Sequence, residues 1–198
     1  MTSSKPLQII SILGPPGSSK TTQSNLLAQH FHITHFSIGA ILRAEANDPN
    51  SPWSSIIAAN MAAERIGPKE LSAEMLRARI DEEVRDGDGG VIVLDGFPRH
   101  IDQASYFSSL VSDITCIIVL ECPEDVLVQR LKERKRADDT DETICARIRT
   151  FEESTGEVVA RYETMGRVVR VRSDGDVGEV FGRVVEALEG MGVVLERR

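Results

Sequence analysis

The stretch Gly14-Pro15-Pro16-Gly17-Ser18-Ser19-Lys20-Thr21-Thr22 decides the fold of this chain. An apolar run, Leu7–Leu13, precedes it, and a segment compatible with a helix, Gln23–His30, follows it. A glycine-rich turn between a strand and a helix is the context that a phosphate-binding loop requires. In such a loop, successive backbone N–H groups surround an anion, and the positive end of the helix dipole points at it.

The polar side chains of this stretch have separate predicted roles. Lys20 is expected to contact the β- and γ-phosphates of a bound triphosphate, and the hydroxyl of Thr21 or Thr22 is expected to contact Mg²⁺. Ser19 departs from the G-x-x-x-x-G-K-[ST] pattern, in which glycine precedes the lysine. A plain Pro/Gly turn before a surface helix is the alternative, and the lysine and the two threonines together disfavour it.

Length, charge and cysteine content limit the classes of protein that fit. The 198 residues suit one domain with a large core, and a net charge of −8 disfavours a general binder of nucleic acids or membrane surfaces. The cysteines, Cys116, Cys122 and Cys145, share no C-x-x-C spacing, and their odd number favours a reducing compartment, so we expect a cytoplasmic protein. We expect no targeting segment and no membrane span, because the first apolar run is short and leads directly into the loop.

Apolar runs alternate with amphipathic segments along the rest of the chain. The predicted strands are Leu7–Leu13, Ile33–Phe36, Val91–Leu94, Thr115–Leu120 and Val168–Val171. The predicted helices are Gln23–His30, one that opens at Ser37, Trp53–Ala63, Lys69–Asp86, Pro123–Glu133, a long one from Asp141 to Tyr162, and Val177–Leu188. This alternation predicts an α/β fold with a mostly parallel sheet, in which 37–67 is a small helical insertion. His30, His32 and His35 flank or lie in the second predicted strand and are interpreted as packing or surface residues.

The motif Asp95-Gly96-Phe97-Pro98-Arg99 directly follows the strand predicted at Val91–Leu94. In an open parallel sheet, ligands bind beyond the carboxyl ends of the strands. We therefore expect Asp95 to hold Mg²⁺, directly or through water, with an aspartate that only forms a turn as the alternative. Arg99 is expected to grip a phosphate through two hydrogen bonds.

A second group of basic residues follows the fourth predicted strand. It comprises Arg130, Lys132, Arg134, Lys135 and Arg136, with Arg147 further along. A solvated helix end is one reading of this block, because cations stabilise the negative end of a helix dipole. A second substrate that carries phosphate is the other reading. An acceptor phosphate is already deprotonated at pH 7, so transfer to it needs positioning and charge neutralisation, not a base.

The order of these motifs is similar to that of the nucleoside monophosphate kinases of the adenylate kinase family, over nearly the whole chain. The resemblance rests on 14–22, Ser37-x-Gly39-x-x-Leu42-Arg43, Leu94–Arg99 with Gln103, Arg130-x-x-x-Arg134, Arg136-x-Asp138-Asp139 and Arg147. It implies a three-layer, P-loop NTPase-type α/β fold with a five-stranded parallel sheet, a helical part that binds the nucleoside monophosphate (NMP), and a short lid. Within one domain, 1–198, the implied core is 1–36, 68–132 and 141–198, the NMP-binding part is 37–67, and the lid is 133–140.

The resemblance also implies reversible transfer of the ATP γ-phosphoryl group to AMP, giving two ADP, with Mg²⁺ as cofactor. The implied ATP-binding residues are Gly14, Pro15, Gly17, Ser18, Ser19, Lys20, Thr21, Thr22, Arg130 and Arg134. The implied NMP-binding residues are Ser37, Ile38, Arg43, Met61, Arg65, Gly67, Gly96, Arg99, Gln103, Arg136 and Arg147. The implied catalytic residues are Lys20, Arg99, Arg130, Arg134, Arg136 and Arg147, and the implied Mg²⁺ residues are Thr21 and Asp95, the latter through water. A monomer that binds neither nucleic acid nor membrane is expected.

The chain departs from the family pattern at several site positions. The family has glycine at positions 19 and 21 and an acid at 40, where this chain has Ser19, Thr21 and Ala40. Adenylate kinases usually have threonine at 38 and glycine at 64, where this chain has Ile38 and Glu64. Between Arg134 and Asp138, its lid is also a few residues shorter than in the short-lid members of the family. We expect Ser19 to keep ordinary backbone dihedral angles, so that the loop persists and ATP binding is weakened without being lost.

CMP and UMP are the alternative acceptors, because the chain from Arg130 onward is as similar to uridylate–cytidylate kinases as to adenylate kinases. Gln103 favours AMP, since adenylate kinases have glutamine there and the pyrimidine enzymes have asparagine. A catalytically weakened homologue that binds nucleotide and regulates a partner is the alternative from another class of protein.

Overall fold

Five parallel strands form the centre of the molecule in the computed structural model, which describes residues 6–83, 90–134 and 140–198. The strands are β1 (Gln8–Leu13), β2 (Ile33–Ser37), β3 (Val91–Asp95), β4 (Cys116–Glu121) and β5 (Val168–Arg172). They pair in the order β2-β3-β1-β4-β5, so β1 is central and hydrogen-bonded on both sides. The predicted α/β class and the five-stranded parallel sheet are confirmed.

Helices cover both faces of this sheet. They are α1 (Lys20–His30), α2 (Ile38–Ala46), α3 (Ser54–Ala62), α4 (Lys69–Glu83), α5 (Ile101–Leu110), α6 (Glu124–Arg134), α7 (Asp141–Thr150), α8 (Gly156–Glu163) and α9 (Val177–Gly190). Side chains of α1 and α9 share one buried cluster with Ile10 and Ile12, while α4, α5 and α8 share another with Ile9. Successive residues of β1 thus point to opposite faces, and both faces are buried, which explains why its sequence is apolar nearly throughout.

Most predicted elements agree with the structure, and the differences have local causes. The loop winds directly into α1, so this helix begins at Lys20 and not at Gln23. The long helix predicted from Asp141 contains a π-helical segment, Phe151–Thr155, between α7 and α8. The sequence pattern did not predict α5, because its inward face is short and includes a polar residue, Gln103, beside Ala104 and Phe107.

The predicted division into core, NMP-binding part and lid stays a prediction. Both α2 and α3 fall within 37–67, as the insertion requires. Residues 84–86 of the helix predicted from Lys69, most of the following turn, and 135–139 of the lid lie outside the described residues. Among the helices that are described, none is both long and apolar enough to cross a membrane.

We expect Phe107→Ala to destabilise the fold by about 3–5 kcal/mol, because it removes a fully buried ring and leaves a cavity. The Phe107 side chain is 0% exposed, and its ring meets that of Phe97 edge-on at a centroid distance of 5.2 Å. Urea denaturation gives the free energy of unfolding. Met165→Ala is the control, because Met165 is 45% exposed and its loss should change this free energy by less than about 0.5 kcal/mol. Equal losses in the two variants would contradict the assigned core.

Candidate functional site

A cavity of about 690 Å³ lies beyond the carboxyl ends of β1, β2 and β3. This is the edge at which parallel sheets bind ligands. Most predicted site residues line the cavity: Gly14, Gly17, Ser19, Lys20, Thr21, Thr22, Ser37, Ile38, Arg43, Met61, Arg65, Gly67, Asp95, Gly96, Arg99, Gln103, Arg130 and Arg147. Pro15 and Ser18 belong to the same loop without lining the cavity, and Ser18 is fully buried. Arg136 and the side chain of Arg134 lie outside the described part of the chain.

Close backbone packing holds the loop after β1 in place. A Cβ atom on Gly14 would lie 2.7 Å from the carbonyl oxygen of Leu120 at the end of β4. A Cβ atom on Gly17, whose φ is +86°, would lie 2.9 Å from the carbonyl oxygen of Leu127 in α6. Neither position has room for a larger residue unless the backbone moves. The glycines therefore seat the loop against β4 and α6.

The backbone of Ser19 is left-handed, with φ 67° and ψ 20°. The expectation of ordinary dihedral angles is therefore wrong. The path of the loop dictates this conformation, because Ser19 is the last residue before α1 and its carbonyl oxygen already accepts a hydrogen bond from Gln23 N–H at 3.0 Å. A left-handed non-glycine residue costs about 1–2 kcal/mol. The Ser19 hydroxyl accepts a long hydrogen bond, 3.4 Å, from Nη1 of Arg130.

The ammonium group of Lys20 folds back over the loop. Its Nζ atom donates hydrogen bonds to the carbonyl oxygens of Gly14, at 2.8 Å, and Pro15, at 2.9 Å. This places a positive charge beside the N-terminus of α1, whose dipole has the same sign. The combined field favours an anion at this end of the cavity.

The predicted Mg²⁺ residues lie next to each other. The hydroxyl of Thr21 donates a hydrogen bond to Oδ2 of the buried Asp95 at 2.5 Å. The described residues contain no group of three or more His, Cys, Asp or Glu side chains that could hold a metal alone. Magnesium, however, is usually bound by one or two carboxylates together with water and substrate phosphates, so a hydroxyl and a carboxylate suit it.

His35 adds a polar atom beside this pair that sequence analysis assigned only to packing or the surface. Its Nε2 atom lies 3.9 Å from Oδ2 of Asp95 and is buried with no hydrogen-bond partner. Its Nδ1 atom is 3.1 Å from Oδ1 of Asn25. Burial lowers the pKa of His35, and the neighbouring carboxylate opposes this only in part. When the imidazole is neutral and Nδ1 carries the proton, Nε2 has a lone pair. A water molecule between His35 and Asp95 can then donate a hydrogen bond to Nε2.

Two glycines make room for guanidinium groups. A Cβ atom on Gly39 would lie 3.3 Å from Nη1 of Arg43, and one on Gly96 would lie 3.3 Å from Nη2 of Arg99. Arg99 also donates from Nε to the Gly96 carbonyl oxygen at 2.9 Å. Because these two positions have no side chain, each guanidinium group can lie close to the backbone of the glycine that precedes it in the chain.

Arg99 is exposed to the cavity, although protein atoms surround the rest of its side chain and exclude water from it. Desolvation by that protein lowers its pKa; Asp95 and Glu64 oppose the lowering, and Arg147 adds to it. Arginine remains charged at neutral pH even after such a change. The cavity therefore holds neighbouring cations whose repulsion two carboxylates partly offset.

Arg130 and Arg147 reach the cavity from two helices that pack together. Leu127 and Leu131 of α6 form a buried cluster with Ile144 and Ile148 of α7. Arg130 is further anchored by the carbonyl oxygens of Ser173, at 2.7 Å, and Gly175, at 3.2 Å. This anchoring on the loop after β5 fixes the guanidinium beside the loop that follows β1.

Arg147 forms a bidentate ion pair with Glu64, which sequence analysis recorded only as a departure from the family pattern. The Nε–Oε2 distance is 2.8 Å and the Nη2–Oε1 distance is 3.0 Å. No sequence signal links residues 83 positions apart, so this contact could not be foreseen.

The far wall of the cavity carries a buried amide. Oε1 of Gln103 accepts from the backbone N–H of Arg99 at 3.0 Å, and Nε2 donates to the Ser72 hydroxyl at 3.3 Å. Gln103 is 4% exposed and Ser72 is 5% exposed. These two bonds fix the orientation of the amide, and they leave one N–H and one acceptor lone pair for a ligand. Ser72 was not among the predicted site residues, because a serine inside a helix belongs to no recognisable motif.

A second hollow, of about 700 Å³, lies along β5 and α9 and has a different character. Its arginines are paired at the surface: Arg170 with Glu121 at 2.7 Å and Arg172 with Asp174 at 2.6 Å. The carboxylates offset the charge of these arginines, and none of the predicted site residues that the structure describes lines this hollow. We therefore assign the site to the cavity at the strand ends.

Comparison with known proteins gives consistent matches. The family model described as "Adenylate kinase" matches residues 12–167. A uridylate kinase of Saccharomyces cerevisiae is 35% identical over 186 residues, which cover 92% of this chain and 91% of that protein. An adenylate kinase 1 of Schistosoma mansoni is 34% identical over 94% of this chain and 95% of its own length. A UMP-CMP kinase of Mus musculus is 30% identical over 95% of this chain and its whole length.

We expect Ser19→Gly to raise the free energy of unfolding by roughly 0.5–1 kcal/mol, because the left-handed strain that it relieves exceeds the added chain entropy of glycine. The strain is present in the loop without ligand, so the gain should be seen in urea denaturation of the free protein. Ser19→Ala is the matched control, since it keeps the Cβ atom and removes only the hydroxyl. Equal stability of the alanine and glycine variants would contradict the strain argument.

Proposed function

Because the chain belongs to the adenylate kinase family, we propose that it transfers the γ-phosphoryl group of ATP reversibly to AMP, giving two molecules of ADP. It is a phosphotransferase of the nucleoside monophosphate kinase type. One observation carries the choice of substrates. A single cavity joins the phosphate-binding loop at one end to the buried Gln103 amide at the other, with Arg99, Arg130 and Arg147 on its walls.

At the ATP end, the loop amides and the N-terminus of α1 bind the β- and γ-phosphates, with Lys20 and Arg130 as counter-ions. Lys20 must exchange its two carbonyl partners for phosphate oxygens, which are stronger acceptors because they are charged. Arg130 is held by Ser173 and Gly175, so it needs little reorganisation to stabilise charge that moves toward the leaving oxygen.

Mg²⁺ is the proposed cofactor, held by the Thr21 hydroxyl and, through water, by Asp95. This ion prefers oxygen donors, and the Thr21 hydroxyl and the Asp95 carboxylate lie next to each other. The buried Nε2 atom of His35 has no hydrogen-bond partner, so it can accept a hydrogen bond from a water molecule between His35 and Asp95. When bound, the ion neutralises charge on the phosphate oxygens.

At the monophosphate end, Arg43 and Arg99 are proposed to bind the AMP phosphate, and Gln103 the adenine edge. Gly96 and Gly39 leave space for the two guanidinium groups. An oxygen of the AMP phosphate attacks the γ-phosphorus, a new P–O bond forms, and the bond to the bridging oxygen of ADP breaks. The attacking oxygen carries no proton, so the residues at the site have only to align the two phosphates and offset their charge.

CMP and UMP are the alternative acceptors, and the Ser72 hydroxyl favours them. It accepts from Gln103 and so has its own proton to donate to a carbonyl oxygen or ring nitrogen of a pyrimidine. Two of the relatives described above are named for uridylate or for UMP and CMP. A ranking of the three acceptors decides between these substrates.

We also propose that the protein acts as a cytoplasmic monomer without nucleic-acid or membrane partners. Its net charge of −8 opposes binding to anionic polymers and surfaces. Its three cysteines are free thiols, which suits a reducing compartment. Every group assigned to the reaction comes from one chain, so the mechanism needs no second copy.

We expect Lys20→Ala to lower kcat by about 10²-fold or more, because loss of one preorganised contact to the migrating charge is typically worth ~3 kcal/mol. A coupled assay of ADP formation from ATP and AMP measures this. Lys69→Ala is the matched control: the Lys69 side chain is partly exposed, lies near the Tyr106 ring and does not line the cavity. Near-normal turnover of folded Lys20→Ala would rule out the loop as the ATP site, and an inactive wild-type protein that binds ATP would instead favour a regulatory role.

We expect kcat/KM with AMP to exceed kcat/KM with CMP and UMP by about tenfold or more, since a bidentate amide contact to adenine is worth about 1–3 kcal/mol of discrimination. Steady-state kinetics with the three acceptors at fixed ATP test this. Gln103→Asn, which shortens the amide by one methylene, should reduce the ratio and leave KM for ATP unchanged. CMP or UMP ahead of AMP in the wild-type protein would show that the assigned base is wrong.

A further inference from the structure

Glu64 has a backbone conformation that an L-residue rarely adopts. Helix α3 ends in a Schellman motif, in which Glu64 N–H donates to Met61 O at 3.2 Å and Arg65 N–H donates to Asn60 O at 2.9 Å. The residue at the position of Glu64 in this motif is left-handed and usually glycine. Glu64 has φ 52°, and in the described part of the chain it shares this feature, among non-glycine residues, only with Ser19. Strained residues of this kind are concentrated at active sites and ligand-binding sites, so the side chain of Glu64 is a candidate for a functional role.

The side chain of Glu64 makes a specific contact. Both carboxylate oxygens accept from Arg147, in the parallel geometry that a guanidinium also uses for phosphate. Each side chain is only 22% exposed, so water screens the pair less than a surface pair. The contact joins the end of α3 to α7.

The pair lies among the groups that bind phosphate in the proposed function. Glu64 and Arg147 both line the cavity. Their charges also reach Arg99, whose pKa Glu64 raises and Arg147 lowers. The free protein thus carries an internal anion next to two guanidinium groups, in a cavity that must receive the dianionic phosphate of a monophosphate.

We propose that Glu64 is an affinity-determining residue, an internal competitor that holds Arg147 until the phosphate of the acceptor nucleotide takes its place. The inference rests on the proposed function, because it assumes that this cavity receives a nucleoside monophosphate. Two anions cannot both use the Nε and Nη2 edge of one guanidinium. The nucleotide must therefore bind the fraction of molecules in which the pair is open, and its apparent Kd equals the intrinsic Kd divided by that open fraction.

Calorimetric titration with AMP, in the absence of ATP, tests this. Glu64→Gln should lower the Kd for AMP by about five- to tenfold, the ratio expected if the pair is closed in about 80–90% of molecules. Glu64→Gly should lower it at least as far, since it also removes any amide contact to Arg147. Adenosine, which has no phosphate, should bind both variants with the Kd of the wild-type protein. Thermal melts verify that the variants are folded.

Two controls separate competition from a general change of charge. Asp81→Asn removes the same charge from an exposed pair with Arg77 on α4, so its Kd for AMP should stay within about twofold of wild type. In an Arg147→Met background, Glu64→Gln should no longer tighten binding, because there is no guanidinium left to release. A gain that persists in this background, or that extends to adenosine, would overturn the proposal.

Weaker AMP binding by Glu64→Gln and Glu64→Gly would also overturn it, and would mean that the carboxylate positions Arg147 for the nucleotide. A wild-type protein that binds AMP but forms no ADP from ATP and AMP would contradict the proposed function alone, since the affinities are measured without turnover.

Discussion

The central position of β1 is the constraint on which the candidate site depends. This strand is hydrogen-bonded to β3 on one side and β4 on the other, and helices cover both of its faces. Its carboxyl end therefore has a fixed direction, and the loop that follows must turn sharply against β4 and α6. The glycines at 14 and 17 permit this close approach. Because all five strands are parallel, the segment after β3 emerges at the same edge and brings Asp95 to Thr21.

The positive charges inside the cavity are offset by polar groups of the protein itself. The chain is acidic, yet the cavity collects Lys20, Arg43, Arg99, Arg130 and Arg147. In the free protein, carbonyl oxygens and carboxylates compensate these cations: Lys20 contacts the loop, Arg130 the segment after β5, and Arg147 the carboxylate of Glu64. Substrate phosphates would replace the internal partners of Lys20 and Arg147, while Arg130 keeps its anchors on Ser173 and Gly175. The internal partners offset the charge of the cations while no ligand is bound. The free energy of replacing them contributes to the affinity for each nucleotide.

Backbone strain marks both ends of the site. Ser19 precedes α1, at whose N-terminus the triphosphate is proposed to bind, and Glu64 follows the end of α3, beside the proposed monophosphate site. Both residues occupy left-handed positions where glycine is favoured, and both side chains contact an arginine of the cavity. The two positions differ in what the side chain contributes. The Ser19 contact is a long hydrogen bond, whereas the Glu64 contact is a close bidentate ion pair.

The sequence by itself determined the elements that depend on local patterns. Apolar runs bounded by turns predicted the five strands, and the order Gly14–Lys20, Asp95–Arg99 and Arg130 predicted which strand ends carry the site. Residue type and spacing were sufficient there, because a buried parallel strand must be apolar and a phosphate loop must have glycine and lysine at fixed positions. The tertiary structure alone decided the left-handed backbone of Ser19, the contact of Gln103 with Ser72, the approach of His35 to Asp95, and the pairing of Glu64 with Arg147. The three contacts depend on how separate elements pack, which no local pattern encodes. The backbone of Ser19 follows the path of the loop, which the glycine of the usual pattern would have signalled and the serine does not.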